Sequence, residues 1–427
     1  MINKDKWAEI IKDWGLKEFP KAVEREIKIN LETGLNRAVS IIGPRRTGKT
    51  YEMFILARAL TEKFGKKRTI YINFERADLG AVNYTDLVLM LETYYEIYPE
   101  NKKKRIWLFL DEIQNVTEWE RFVRTCLDEG IKVIISGSSS KLLSKEIATS
   151  MRGRNISYRL FPFSFREYLK TKGFEKKTYL SSEDKSKIVN FFENYLIFGG
   201  YPEAVIYTDE RSKIIADIFE TAILKDIIER HKIRNLSVMR LLIKALLSSK
   251  EFSVNKFYNH IKSQGMKIGK NVLYNYLEYL EDAFFVFSLR KFNLSYKKAD
   301  QSIPKIYFID NGILTENKID DKGRLMENLV YIELLRRELD ISYYQTITKE
   351  EVDFLIKEGK KVKQLIQVCW DIENFATYER EVKSLLKASK EFKCDNLLIL
   401  TKHAEKQATF KGKKMKIMPV WKWLLEV

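Results

Sequence analysis

The segment Gly43-Pro44-Arg45-Arg46-Thr47-Gly48-Lys49-Thr50 constrains this chain more than any other. It satisfies G-x-x-x-x-G-K-[ST] in full, and its context fits. Ala38 to Ile42 before it is a short apolar run of strand type, and Tyr51 to Phe64 after it reads as an amphipathic helix. Glycines let such a loop wrap a phosphate, so that backbone N–H groups and the N-terminus of the next helix face negative charge. Lys49 is placed to pair with β- and γ-phosphates, and the Thr50 hydroxyl to ligate Mg²⁺.

About sixty residues on, the apolar run Ile106 to Leu110 delivers Asp111 and Glu112 at its C-terminal end. Open α/β sheets bind ligands at that end of their strands. Asp111 suits a Mg²⁺ contact through water, and Glu112 suits polarising an attacking water. Strands are expected at 38–42, 69–74, 106–110 and 132–136, alternating with helices at 51–64, 84–98 and 119–129. That alternation argues a parallel sheet covered on both faces. The first 35 or so residues are expected to be helical, because Trp7, Ile10, Ile11 and Trp14 recur at helical spacing. From Phe165 helices dominate, at 164–170, 183–197 and 212–230, around the turn Gly199-Gly200-Tyr201-Pro202. Residues 236–298 read as three helices (238–247, 254–261, 271–282) and a basic-ended strand (284–292). Mixed α/β structure returns from about Lys305.

The series IIGPRRTGKT, YINFE, LFLDEIQ, VIISGSSSKLLSKEIATSMRGR and FPFSFREYL resembles the archaeal-type ATPase branch of the AAA+ superfamily over residues 20 to 235. The resemblance implies ATP with Mg²⁺ as the ligands, Glu112 as the catalytic carboxylate, and Ser136 or Ser138 as a sensor of the γ-phosphate. It also implies an arginine finger, Arg152 or Arg154, acting on the nucleotide of a neighbouring copy. Such an arginine would offset charge on the transferred phosphoryl group. Glu75 recurs in the pattern, and core packing or support of the site is the expectation for it.

Residues 236–298 resemble a winged helix. Gly269-Lys270-Asn271 would open the groove-reading helix, with Lys267, Lys270, Arg290, Lys291, Lys297 and Lys298 placed for phosphates. The last part resembles restriction-endonuclease-like, or PD-(D/E)XK, nucleases. Glu327 on a helix, Asp353 on a strand and Gln367 on the next would hold a divalent cation. Cys369 stands where that pattern has lysine, so either Lys383 or Lys387 replaces it or the domain only binds. The organisation expected is an α/β P-loop AAA+ core at 1–170, a helical lid at 171–235, a winged-helix-like domain at 236–300 and a restriction-endonuclease-like domain at 301–427.

Charge enters at the choice of partner. The chain has 427 residues, with 76 Lys and Arg against 59 Asp and Glu, a formal charge of +17. That excess favours polyanions, nucleic acid (double-stranded DNA) before a membrane surface. No apolar run approaches the length of a bilayer span, and Cys126, Cys369 and Cys394 have no paired spacing, which suits a cytoplasmic protein. The basic runs 102–105 and 411–416 read as solvated turns. Two functions follow: ATP hydrolysis coupled to nucleic-acid binding or processing, or an ATP-gated switch whose last domain docks proteins.

Overall fold

The computed structural model describes residues 2–138, 151–174, 179–293, 295–346, 348–410 and 412–426. The chain divides into two compact units, Met1–Phe161 and Pro162–Val427.

The first unit is built on a five-stranded parallel sheet. Its strands are β1 (Ala38–Ile42), β2 (Thr69–Asn73), β4 (Trp107–Asp111), β6 (Lys132–Gly137) and β7 (Asn155–Arg159), in the order β2-β4-β6-β1-β7. A small parallel pair, β3 (Val82–Asn83) with β5 (Val116–Thr117), lies apart from it. β1 and β4 are buried along their whole length, as their unbroken apolar runs require in a sheet covered on both faces. β7 went unread in the sequence, because a half-buried edge strand of sequence NISYR carries no apolar run. The helices are α1 (Lys4–Leu16), α2 (Lys49–Phe64), α3 (Tyr84–Ile97) and α4 (Trp119–Asp128).

The expected N-terminal helix of some 35 residues is only α1. Asn3 caps it by accepting from Lys6 N, and it ends ahead of Pro20, which no helix can run through without losing a hydrogen bond. Trp7, Ile10, Ile11 and Trp14 are buried as their spacing requires, and the Trp14 indole donates to Thr69 O at 2.8 Å. The helix Phe165–Thr171, placed by sequence at the end of the 1–170 core, belongs to the second unit.

In the second unit the stretch expected as one helix over 212–230 is an α-helix, Arg211–Thr221, that widens into a π-helix over Ala222–Glu229. Helices Leu236–Ser248, Val254–Ser263 and Lys270–Asp282 follow, then β8 (Val286–Leu289) and β9 (Lys305–Phe308), paired antiparallel. The strand expected over 284–292 shrinks to β8, since Phe284 has a φ of 55°, outside strand geometry. Glu251 bridges to Lys305, so β9 is flanked on both sides. The β8–β9 hairpin thus spans the boundary that sequence reading drew at residue 300.

A six-stranded mixed sheet completes the unit. Its strands are β10 (Asp340–Gln345), β11 (Glu351–Glu358), β12 (Lys361–Cys369), β13 (Leu397–Thr401), β14 (Lys406–Phe410) and β15 (Lys413–Pro419), in the order β10-β11-β12-β13-β15-β14. Val382, Leu385 and Ala388 of the helix Phe375–Phe392 pack on Leu355, Leu365 and Ile399 of this sheet. The basic run at 411–416 is not a solvated turn where it is described. Met415 and Ile417 are buried and alternate with outward lysines, and β15 lies between β13 and β14.

Behind the Gly199-Gly200 turn, buried Asp310 accepts from Gly200 N at 2.7 Å and Gly312 N at 2.8 Å. Burial pushes its carboxyl up to about 7, although both N–H donors pull the other way. A folded-state value above the ordinary 3.8 means that its contribution to stability is present below that pH and lost as pH rises through 7. The melting temperature should therefore fall between pH 5 and pH 8, and fall less in Asp310→Asn. Equal slopes in the two proteins, by calorimetry, would refute this.

Candidate nucleotide site

The loop Gly43–Gly48 leaves the C-terminal end of β1 and enters α2 at Lys49. A Cβ on Gly43 would lie 2.2 Å from Leu160 O, so any side chain there would displace the loop from the neighbouring backbone. Gly48 caps α2 with φ 93°, a conformation costly for other residues. Thr47 Oγ1 closes the loop on Pro44 O at 2.9 Å. Arg25, from the irregular segment after α1, donates to Thr47 O at 2.8 Å and to Phe161 O at 2.7 Å, bracing the loop from outside. Arg45 pairs with Glu75 at 2.8 Å. Glu75 is exposed, so of the two expectations core packing gives way, and the residue instead pairs with an arginine of the loop.

Lys49 is buried inside the loop, 3.1 Å from Gly43 O and 2.9 Å from Pro44 O. An ammonium held by neutral carbonyls can exchange them for phosphate oxygens, which bind it more strongly. Thr50 Oγ1 donates to Asp111 Oδ2 at 2.7 Å, so the two oxygens proposed for Mg²⁺ are adjacent. Asp111 is fully buried, and Tyr71 and Ser136 also donate to it. Burial and the Asp111 charge raise the Tyr71 phenol, keeping it a donor. Glu112 lies 3.9 Å from the Lys49 ammonium. It has a left-handed backbone (φ 53°), accepts from Gln114 Nε2, and donates its own N–H to Ser136 Oγ at 3.1 Å. A hard-oxygen pair, a phosphate-type cradle and a second carboxylate are the donor set that a triphosphate with Mg²⁺ requires.

Ser136 and Ser138 are both expected as sensor candidates. Ser136 is the one hydrogen-bonded to Asp111 and Glu112, and Ser138 is buried at the end of β6. Arg152 and Arg154 stand away from this loop contact set. With Arg121 and Arg124 of α4 they line a cavity of about 310 Å³, and Arg154 pairs with Asp128 there. Residues 139–150 of the expected sensor-to-finger stretch lie outside the described residues. Arg25 and Tyr71 were not foreseen. A phenol inside the apolar strand TIYIN was the one available hint.

In the second unit Glu327, Asp353 and Gln367 do come together, around a residue not foreseen. Lys305 lies 3.0 Å from Glu327 and from Asp353. Gln367 Nε2 donates to Glu381, and its Oε1 faces Asp353 N at 3.4 Å. Lys383 and Lys387 pair with Glu350 instead of reaching the cluster. Burial pushes the Asp353 carboxyl up to about 7 against the pull of Lys305, and burial raises the Cys369 thiol to about 12. Among the described residues no group of three His, Cys, Asp or Glu side chains is arranged to hold a metal ion.

A family model described as an AAA domain matches residues 35–169. Two described as domains of unknown function, DUF8612 and DUF4143, match 190–321 and 322–423. An uncharacterized protein of Haemophilus influenzae is 28% identical over 397 residues, 90% of this chain and 94% of that one. The Aeropyrum pernix ORC2 protein in its ADP form superposes at 13% identity with a TM-score of 0.35, over 76% of this chain and 92% of that one. That likeness is too loose to assign anything here. The uncharacterized protein MJ1544 of Methanocaldococcus jannaschii is 39% identical over 421 residues, 95% of this chain and 91% of that one. The chain, with its AAA domain, belongs to the family of this methanogen protein.

Proposed function

We propose that the protein binds ATP with Mg²⁺, hydrolyses it, and couples turnover to binding of double-stranded DNA. The observation that carries the reading is the 2.7 Å contact of Thr50 with Asp111 beside a phosphate-type loop, with Glu112 facing Lys49. Lys49 and the loop N–H groups would hold the phosphates. Thr50 and Asp111 would hold Mg²⁺, which when bound neutralises charge between phosphate oxygens. Glu112 orients a water and accepts its proton. Ser136 or Ser138 reports on the terminal phosphate. The cavity with four arginines supports self-association, in which Arg152 or Arg154 offsets charge at a neighbouring copy's nucleotide.

For DNA, the support is the order helix, Glu251 bridge, helix, helix, β8, β9, which suits a winged helix. Lys267, Lys270 and Asn271 are exposed at the start of its third helix, and Arg290 and Lys297 on the hairpin connection. The Lys298 side chain lies outside the described residues. The mixed sheet, with Asp353 on its strand β11 and Glu327 on the helix Lys322–Arg336, both 3.0 Å from the Lys305 ammonium, supports a restriction-endonuclease-like reading of the last domain. Exposed Val272 and Tyr274 on the same third helix favour a second reading, an ATP-gated switch that docks a protein.

The salt dependence of DNA affinity separates the two. DNA contact through phosphates should weaken steeply from 50 to 200 mM salt, by roughly 10³-fold for about six contacts. Lys267→Glu with Lys270→Glu should weaken binding and flatten that slope. No binding at low salt would refute the DNA reading.

A further inference from the structure

The acidic cluster of the second unit already contains a cation. Lys305, on β9, has a side chain 5% exposed, and its ammonium lies 3.0 Å from Glu327 Oε1, 3.0 Å from Asp353 Oδ1 and 2.6 Å from Glu351 Oε1. An ammonium has three N–H donors, and three carboxylates surround this one. Oxygens of Glu327 and Asp353 have further partners. Glu327 Oε1 also accepts from the Tyr307 hydroxyl at 2.8 Å, and Glu327 Oε2 faces Lys250 at 3.7 Å. Asp353 Oδ2 accepts from Val368 N at 2.9 Å. Mg²⁺ needs an octahedron of oxygens at about 2.1 Å. Its place among these carboxylates coincides with the ammonium, and two adjacent cations would repel.

The supply of Lys305 is itself built in. β9 is pinned between β8 and Glu251, so the hairpin of the preceding three-helix segment presents the lysine to Glu327 and Asp353. Cys369, where the nuclease pattern has its lysine, is a buried thiol and brings no charge.

We propose that the Lys305 ammonium is the resident cation of this cluster, in the place that a nuclease-like acidic set gives to a divalent metal. The last domain then contacts its partner without a metal and does not cut phosphodiester bonds. The inference stands apart from the nucleotide reading and narrows the DNA reading from processing to binding.

The test uses the full chain without nucleotide, in an Asp111→Asn background that weakens metal binding at the ATP site. Mn²⁺ binding is counted by electron paramagnetic resonance with and without Glu327→Gln. The expected result is no difference in stoichiometry. One Mn²⁺ bound with Lys305 intact and lost in Glu327→Gln would overturn the proposal. So would Mn²⁺-dependent nicking of plasmid by the wild-type chain that Asp353→Asn removes. In parallel, in the same Asp111→Asn background, Lys305→Ala should melt several degrees lower and be partly restored by millimolar Mn²⁺, which should leave the melting temperature of the Lys305-containing chain unmoved. Unaltered melting of Lys305→Ala would also overturn it. Should that variant not fold, the Mn²⁺ count on the lysine-containing chains decides alone.

Discussion

Lys49→Ala should reduce ATP binding and turnover at least 100-fold while leaving the fold intact. The ammonium is buried within the loop, and its hydrogen bonds are to the carbonyls of Gly43 and Pro44. Alanine therefore removes the charge meant for the phosphates, while Pro44 O keeps its Thr47 donor and water can satisfy Gly43 O. Loss of one such charge-directed donor at a reacting phosphate costs on the order of 10²–10³ in rate. Equilibrium binding of a fluorescent ATP analogue and steady-state phosphate release measure the two effects separately. Normal turnover in this variant would remove the loop from the mechanism.

Glu112→Gln should split those two readouts. Glutamine keeps the volume and can still lie near Gln114 and Lys49, so nucleotide should bind within a few-fold of wild type. It cannot take a proton from water, and the lost general base is worth roughly 10²–10⁴ in turnover. The variant should therefore accumulate bound, uncleaved ATP. Turnover within a few-fold of wild type would assign the proton to another group. Parallel loss of binding would make Glu112 part of the cradle.

The two motifs behind these predictions were legible because their chemistry lies in contiguous residues at strand ends. A strand that leads into Gly43, or into Asp111-Glu112, places those groups at the C-terminal, ligand-binding ends of the strands whatever else the chain does. Arg25, Tyr71 and Lys305 were not legible for the converse reason. Arg25 reaches Thr47 across 22 residues, Tyr71 reaches Asp111 across 40, and Lys305 reaches Asp353 across 48. Only tertiary pairing brings them in. Lys383 and Lys387 lie closer in sequence to Cys369 than Lys305 does, yet both pair with Glu350 instead.

The fold shows the same division. The buried strands β1, β4 and β13 announce themselves as apolar runs. β7, β14 and β15 carry serine, threonine, arginine and lysine on outward faces, and their pairing energy comes from neighbours that a local pattern does not contain. The change from α- to π-helix at Ala222 likewise has no local signal. Leucine, isoleucine and alanine continue through it at helical spacing.

The most direct test of the account is ATP turnover by the full chain at low salt, with and without double-stranded DNA, alongside Lys49→Ala. Turnover that rises with DNA, is absent in Lys49→Ala, and leaves the DNA intact is the expected result. Turnover indifferent to DNA would contradict the coupling and point to a protein partner, and turnover surviving in Lys49→Ala would contradict the site itself.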